Sequence, residues 1–489
     1  MTKKKFTLPR REFLRLSAAA AAGIAIAPSC SFGTNNIPSP LKRKFGKIDF
    51  DVTTLGLGGQ ASLQWTPEGV DPVAIILKAF ETGINYFDTS NLYDNSQLNY
   101  GEAFRQLNLV PGKEDYDKKL RESIFLTTKS HIRWGKAPFP EVEHVRNATQ
   151  GEHGEGVIGD LKRSLSQLFG DGNGHYPEGA YVNMVLIHSL NNGMEVDILY
   201  KGLETPLDPN DNFGALVALR DYRDGTNHTG LNPKQEKLIR HIGFSGHRSA
   251  PAMMDMIQRD EYGLLDAMLV AINPNDKQYL NMQHNVIPVA QAKNLGIIAM
   301  KAFADGAMYT KGAHWSREPS HVVTTVGSES LPSKPLVEYA LTTSGIHTAI
   351  IGIGHIDEDP LKCQLIQNYY AAQIEPEAMS EEERRSLEEK TANVKEGKTN
   401  YFQNEGKGLT APRNVRKDGN SLQWDTAIAG DEPIVKYEIL SGNEKVGEVQ
   451  HTPQTTKKPF EFSGLEKGKS YKVAAIDRAS RKVTCEDVT

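Results

Sequence analysis

Eight short β-rich apolar runs, helix-length periodic segments between them, and a change to short alternating runs past residue 410 predict an α/β protein. The fold class is a (β/α)8 TIM barrel followed by a small all-β, immunoglobulin-like sandwich. The runs fall at 54–58, 84–89, 124–129, 184–188, 242–245, 268–273, 297–301 and 349–353. Between them, 72–81, 157–169, 286–294 and 336–343 carry apolar residues at helical spacing. Such alternation makes parallel strands joined by crossover helices, and eight units close into a barrel. A doubly wound open sheet is the competing arrangement. No Gly-x-Gly-x-x-Gly follows the first run, which counts against its dinucleotide-binding form.

Size and composition agree with this. At ~150 residues per domain, 489 residues make about three units, and a barrel can use most of them. Charged residues are 24% and hydrophobic residues 38%, ordinary for a globular chain and too apolar for a disordered one. With 56 basic against 61 acidic side chains the formal net charge is −5, and no basic stripe offers a nucleic acid its electrostatic footprint. Cys30, Cys363 and Cys485 lie too far apart for a disulfide framework or a Cys-rich metal site. No apolar run reaches the ~20 residues of a membrane-spanning helix.

Along the chain, residues 1–30 read as an export signal. Lys3 to Lys5 give a basic start, and 17–27 is a short run of small apolar residues. Pro9-Arg10-Arg11-Glu12-Phe13-Leu14 resembles the twin-arginine signal, which carries folded proteins across the bacterial inner membrane into the periplasm. Cys30 stands where a lipoprotein cysteine would, after the poor lipobox Ala27-Pro28-Ser29; lipidation there is the one membrane anchor the sequence offers. Residues 31–44 read as a linker and 45–400 as the barrel. Polar inserts at about 131–156 and 190–235 follow the third and fourth strands, on the face where barrels build their sites. Asp208 to Gly214 reads as a solvated turn, since no acidic residue closes it as a calcium loop. A charged helix spans 381–395, 401–410 is a second linker, and 411–489 is the sandwich, with strands at 421–424, 434–440, 460–462 and 471–475.

The chemistry falls at successive strand ends. The second strand ends at Asp88, with Tyr93 just beyond; the third ends at Lys129 and the fourth at His188. In a parallel barrel these ends open on one face, so the four converge. Hydride arriving at a carbonyl carbon leaves an alkoxide that needs a proton. Tyr93 can donate it if a cation stabilises the phenolate, and Lys129 is that cation, held charged by Asp88. A neutral His188 can direct the substrate oxygen.

These residues resemble the aldo/keto reductase family over about 45–375. Asp88-Thr-Ser-Asn-Leu-Tyr93 with Gly101-Glu102-Ala103-Phe104, Thr127-Thr128-Lys129, and Ile187-His188-Ser189 are similar to its second-, third- and fourth-strand signatures. The later runs 242–245, 296–301 and 351–354 fall in the family's order. The resemblance implies metal-free, NAD(P)(H)-dependent interconversion of a small-molecule carbonyl and alcohol. It places the cofactor against Ser245, Met300, Lys301, Gly352, Gly354, His355 and Asp357. The cradle departs from the family pattern: Gly246-His247 follows Ser245, Leu269 replaces the usual Gln, and Met300 stands where an aromatic often stacks. After Gly354 comes the acidic His355-Ile-Asp357-Glu-Asp359, which should repel a 2′-phosphate; this favours NAD, unless Asp357 caps the last helix. In the last sixth of the chain Trp424, Tyr437, Leu465 and Tyr471 resemble the core of a fibronectin type III domain.

Free nicotinamide cofactor is scarce outside the cytoplasm, so export in the folded state fits a cofactor carried across already bound. Such a cofactor must be reset within each turnover, and a sandwich on an exported barrel fits a sugar-like substrate. The alternatives are a redox-neutral glycan-processing enzyme using a bound NAD and a non-catalytic ligand-binding barrel. Trp65, Trp134 and Trp315 are candidate pocket aromatics. Oligomeric state leaves no mark in the sequence.

Overall fold

The computed structural model describes residues 37–151, 155–406 and 408–489; the Arg10-Arg11 pair and Cys30 lie outside them. A hairpin of β1 (Lys42–Lys44) and β2 (Asp51–Thr53) precedes the barrel strands β3 (Leu55–Gly58), β4 (Tyr86–Asp88), β5 (Phe125–Ser130), β6 (Val182–Leu190), β7 (Ile239–Gly246), β8 (Leu265–Ala271), β9 (Gly296–Met300) and β10 (Thr348–Gly352). These eight close in sequence order, every neighbouring pair parallel. β5 is buried at every position, as a strand covered on both faces must be.

Helix Pro72–Glu81 shows the local logic. Asp71 accepts hydrogen bonds from the Val73 and Ala74 N–H groups, Pro72 suits the first turn, and Ile75, Ile76, Ala79 and Phe80 turn inward. The hairpin closes the end of the barrel where the strands begin. Phe45, fully buried, packs edge-on against Tyr86 and Phe125. Its ring lies where a side chain on Gly296 would stand, 2.6 Å from an added Cβ, so only glycine fits there. With that end plugged, the opposite face is the open one. The start of the chain's described part is tied to the barrel: just before the hairpin the Leu41 N–H donates to Gln373, and within β1 Arg43 donates to the Leu341, Ile346 and Ile374 carbonyls.

The two inserts meet on the open face, where Trp134 bridges Gly214 and the Gly135 N–H donates to Phe213 O. Asp208 to Asn212 is an exposed turn, and no group of three or more His, Cys, Asp or Glu able to hold a metal occurs among the described residues. Helix Glu381–Ala392 starts in a Ser380/Glu383 capping box and lies outside the barrel, with Arg384 stacked on Tyr339.

The C-terminal region forms a three-stranded sheet of β11 (Arg413–Asp418), β12 (Ser421–Asp425) and β15 (Phe460–Ser463). It also forms a four-stranded sheet of β14 (Glu444–Gln450), β13 (Ile434–Ser441), β16 (Lys472–Asp477) and β17 (Lys482–Thr484). Both are antiparallel and enclose Trp424, Tyr437, Leu465 and Tyr471. This region is docked on the barrel. Asn281 donates to Gly430 O, Asn285 exchanges two hydrogen bonds with Ala429, Gln258 donates to Gln454 O, and Lys457 pairs with Asp255. The intervening stretch is fixed as well: Asn400 and Asn273 exchange two amide hydrogen bonds of 3.0 Å, and Gln403 donates to Asp276.

Candidate active site

The three strand ends bring Asp88, Tyr93, Lys129 and His188 together. The Lys129 ammonium donates to Asp88 Oδ1 at 2.5 Å, to Thr89 O at 2.9 Å and to the Tyr93 hydroxyl at 3.3 Å. The His188 ring stands edge-on to Tyr93 with centroids 5.7 Å apart, and its Nδ1 lies 3.3 Å from Ser90 Oγ. All four are at least nine-tenths buried. Burial, reinforced by the Asp88 and Asp305 carboxylates, pushes the Tyr93 hydroxyl well above its ordinary value. Burial likewise holds His188 well below the usual imidazole range, with His131 and Lys129 adding to the effect, so the ring is neutral. The site holds a protonated phenol, a neutral imidazole and an ion pair, the state needed to donate a proton to a developing alkoxide.

Around this centre lie residues the sequence reading passed over. His131 is 4% exposed, its ring 5.3 Å from His188, and neither ring nitrogen has a hydrogen-bond partner among the described residues. Two residues further on, Arg133 donates to the carbonyls of His188 and Ser189 and to Glu195, which fixes the turn after β6. Both continue the alternation that aims Lys129 inward, and that period-two signal could have found them. His247 Nδ1 pairs with Ser189 Oγ at 3.1 Å. Asp305 accepts from Lys301, Lys311 and the Tyr401 hydroxyl, and the two ammonium groups draw its carboxyl down to about 2 against its burial.

The sequence model of the aldo/keto reductase family matches residues 54–322. The chain belongs to the aldo/keto reductase family. Among curated proteins, the uncharacterized oxidoreductase YqkF of Bacillus subtilis is 34% identical over 93 residues, 19% of this chain and 26% of that protein, so the match spans about a quarter of that relative's length. Solved aldo/keto reductases from Klebsiella pneumoniae, one in complex with NADP and acetate and one with NADPH, each align over 72% of this chain at 16% identity. They are covered to 95% and 94%, with TM-scores of 0.43 and 0.44.

In this aldo/keto reductase a cleft runs from Tyr93 and Asp88 past Gly58, Gly59 and Gly352 to Gln364, with Met300 and Leu269 on one flank and Lys301 beside them. Three of the residues assigned to the cofactor, Met300, Lys301 and Gly352, therefore line it. An added Cβ on Gly59 would stand 2.4 Å from Asp88 O, so only glycine lets the turn after β3 pack this closely against the end of β4. Asp88 Oδ2, buried and without a partner among the described residues, faces the need for a hydroxyl donor. These features fit a nicotinamide riboside: an apolar flank for the ring and an acceptor for a ribose hydroxyl.

The remaining cofactor candidates sit elsewhere. Ser245 is buried, its Oγ accepting from the Ser189 N–H. The Gly354 N–H donates to Gln364, and an added Cβ would meet Val323 O at 2.2 Å, so the segment 321–326 lies directly on it. His355 is exposed, and neither it nor Asp357 lines the cleft. Asp357 accepts from the Asp359 N–H in a tight turn and does not cap helix Gln364–Ala371. The acidic turn thus provides no basis for preferring NAD over NADP. Of the three tryptophans, Trp65 lines the cleft, Trp134 is buried in the paired inserts, and Trp315 is 38% exposed at the rim.

Proposed function

We propose that the protein is an exported oxidoreductase that interconverts a carbonyl and an alcohol with NAD(P)(H), Tyr93 serving as general acid and base. The observation that carries this reading is the contact of Lys129 with both Asp88 Oδ1 and the Tyr93 hydroxyl, with the His188 ring against the same phenol. When bound, the nicotinamide supplies or accepts the hydride. Tyr93 donates its proton to the substrate oxygen as the carbon is reduced, and takes it back in the reverse direction. Lys129 lies close enough to stabilise the phenolate so formed, and Asp88 keeps it protonated and aimed. Neutral His188 offers one ring nitrogen to the substrate oxygen while Ser90 orients the other. Changing Tyr93 to Phe should lower turnover of a carbonyl probe such as 4-nitrobenzaldehyde by about 10²–10⁴-fold while nicotinamide affinity stays within a few-fold. Unchanged turnover would remove Tyr93 from the mechanism; a protein that binds nicotinamide but reduces nothing would be the non-catalytic barrel.

A second reading, a cofactor kept bound through each turnover, is favoured by the segment 321–326. His321, Val322, Val323 and Val326 line the cleft, and Val323 seals against Gly354. This suits coupled oxidation and reduction or a redox-neutral reaction on a sugar hydroxyl. Mass spectrometry of denatured protein should find about one nicotinamide nucleotide per chain; its absence, with turnover strictly dependent on added cofactor, would sink the idea. Export through the Arg10-Arg11 signal, with Cys30 as an optional lipid anchor, belongs to the same reading. So does a fibronectin type III-like role for the C-terminal sandwich, supported by its two antiparallel sheets around Trp424.

A further inference from the structure

We propose that residues 395–403, the stretch following the helix Glu381–Ala392, are a positioning element for the cleft. Lys395, Asn400 and Tyr401 hold the loop 301–311 after β9 in the shape that sets Lys301 and Asp305 on the cleft wall beside Tyr93. They thereby set how tightly a nicotinamide nucleotide is held. The proposal rests on the reading of that cleft as the nicotinamide site, and it assigns part of the site's making to residues beyond the 54–322 family match.

The first observation is a loop whose backbone its own residues do not favour. Lys301, Ala304 and Asp305 have φ of 64°, 49° and 59°, the left-handed region that side chains with a Cβ avoid. Such residues persist only where the surroundings fix them. The same loop forms cleft wall: Lys301, Phe303, Asp305 and Gly306 line the cleft together with Asp88 and Tyr93. The Lys301 ammonium donates to Asp305 at 3.2 Å and to Gln60, just beyond β3, at 3.4 Å. Lys311 donates to the other Asp305 oxygen at 2.5 Å.

The second observation is what fixes that loop. The Lys395 ammonium donates to the carbonyls of Ala307, Tyr309 and Lys311 at 2.5, 3.0 and 2.5 Å. Carbonyls left open past a helical turn are acceptors that a cation satisfies. The Tyr401 hydroxyl donates to Asp305 Oδ2 at 2.7 Å. Asn273, just past β8, donates to the Lys301 carbonyl at 3.0 Å and is itself held by its paired amide bonds with Asn400. Two of the three left-handed residues, Lys301 and Asp305, are thus gripped by 395–403, one through Asn273 and one directly. The stretch is anchored in its turn. Asn400 and Phe402 are fully buried, Asn275 donates to Thr399 at 2.8 Å, Tyr279 donates to Gly397 O at 2.9 Å, and Gln403 donates to Asp276. It can therefore bear on the loop rather than follow it.

The test uses the full chain. Lys395→Met removes a charge from an exposed side chain and keeps its stem, and Tyr401→Phe keeps the ring, so neither is expected to unfold the barrel. In hydrogen exchange the amides of 301–311 should lose about tenfold protection in each variant while β3 to β6 keep theirs. In calorimetric titrations with NADH and with NADPH the double variant should bind about tenfold more weakly, because affinity falls with the fraction of chains whose loop is in place. Lys395→Arg, which keeps a cation for the three carbonyls, should recover most of what Lys395→Met loses. Asn285→Ala, a lesion at the sandwich contact, should lower stability and alter neither reading. Unchanged exchange in the loop, unchanged nicotinamide affinity, or protection lost throughout the barrel overturns the proposal, as does an equal affinity loss in Asn285→Ala. A parent chain that binds neither cofactor removes the nicotinamide reading instead, and loop exchange then decides the positioning role alone.

Discussion

Tyr93 stands 3.3 Å from an ammonium group whose charge is already matched by a carboxylate, in a site closed to water on most sides. The phenol therefore stays protonated past its ordinary range, and His188 stays neutral well below its own. Reduction needs both groups in these forms. Its kcat/KM should be flat from about pH 6 to 9, because His188 gains a proton only below that window and Tyr93 loses one only above it; a sigmoid inside the window would contradict the assignment. The ion pair has a second consequence. Changing Lys129 to Met leaves Asp88 buried without its partner and should cost about 3–5 kcal/mol in urea unfolding, while Asp88→Asn in the same chain should recover much of it. At this scale the sequence was partly legible. Asp88, Tyr93, Lys129 and His188, the candidate catalytic residues, stand at or just beyond strand ends with recognisable neighbours. His131 was missed although it shares the inward face of Lys129. Asp305 could not be read at all, since only the tertiary fold brings Lys301, Lys311 and Tyr401 to it.

Among the elements, all eight barrel strands were foreseen within a few residues because each is a buried, nearly continuous apolar run. The sandwich was less complete: β11, β14 and β17 escaped notice. They are edge strands with little buried surface, so their sequences carry few apolar signals. The stretches read as linkers gave no hint of their contacts, because hydrogen bonds such as Asn400 to Asn273 are chosen by partners more than a hundred residues away. In the proposed retention of the cofactor, the segment 321–326 is the element that would hold it. Gly354 has ordinary backbone angles, so alanine is tolerated locally, but its Cβ would press on Val323 O. Gly354→Ala should lift that segment and speed nicotinamide release at least tenfold in stopped-flow fluorescence, with the fold intact by circular dichroism. An unchanged release rate would show that the segment does not hold the cofactor.

For the whole molecule, barrel and sandwich are joined through Asn281, Asn285, Gln258 and Lys457. They should unfold in one calorimetric transition, and Asn285→Ala, which removes both hydrogen bonds to Ala429, should separate or broaden it at a cost of about 1–3 kcal/mol. Acid should weaken the fold. His284, His347 and His451 are held by burial to about 4. Unfolded, they take up protons near ~6.5, so stability is lost as pH falls from there toward 4. Asp276, raised to about 6 by its burial, and Asp88, also raised by burial, act in the opposite sense, but they are two groups against six, since burial lowers His131, His188 and His247 as well. The melting temperature should thus be lower at pH 4.5 than at pH 7. The export reading makes its own demand: replacing Arg10 and Arg11 by Lys should leave the chain in the cytoplasm of a bacterial host, and unchanged periplasmic recovery would refute it.

In the proposed reaction hydride passes between nicotinamide and a substrate carbon at Tyr93. The most direct measurement supplies NAD(P)H deuterated at the transferring position together with a carbonyl probe, and locates the label in the alcohol by mass spectrometry. One deuterium is expected on the carbinol carbon per product molecule, and almost no product from Tyr93→Phe in the same time. Unlabelled alcohol, or labelled product from Tyr93→Phe at the parent rate, would contradict it.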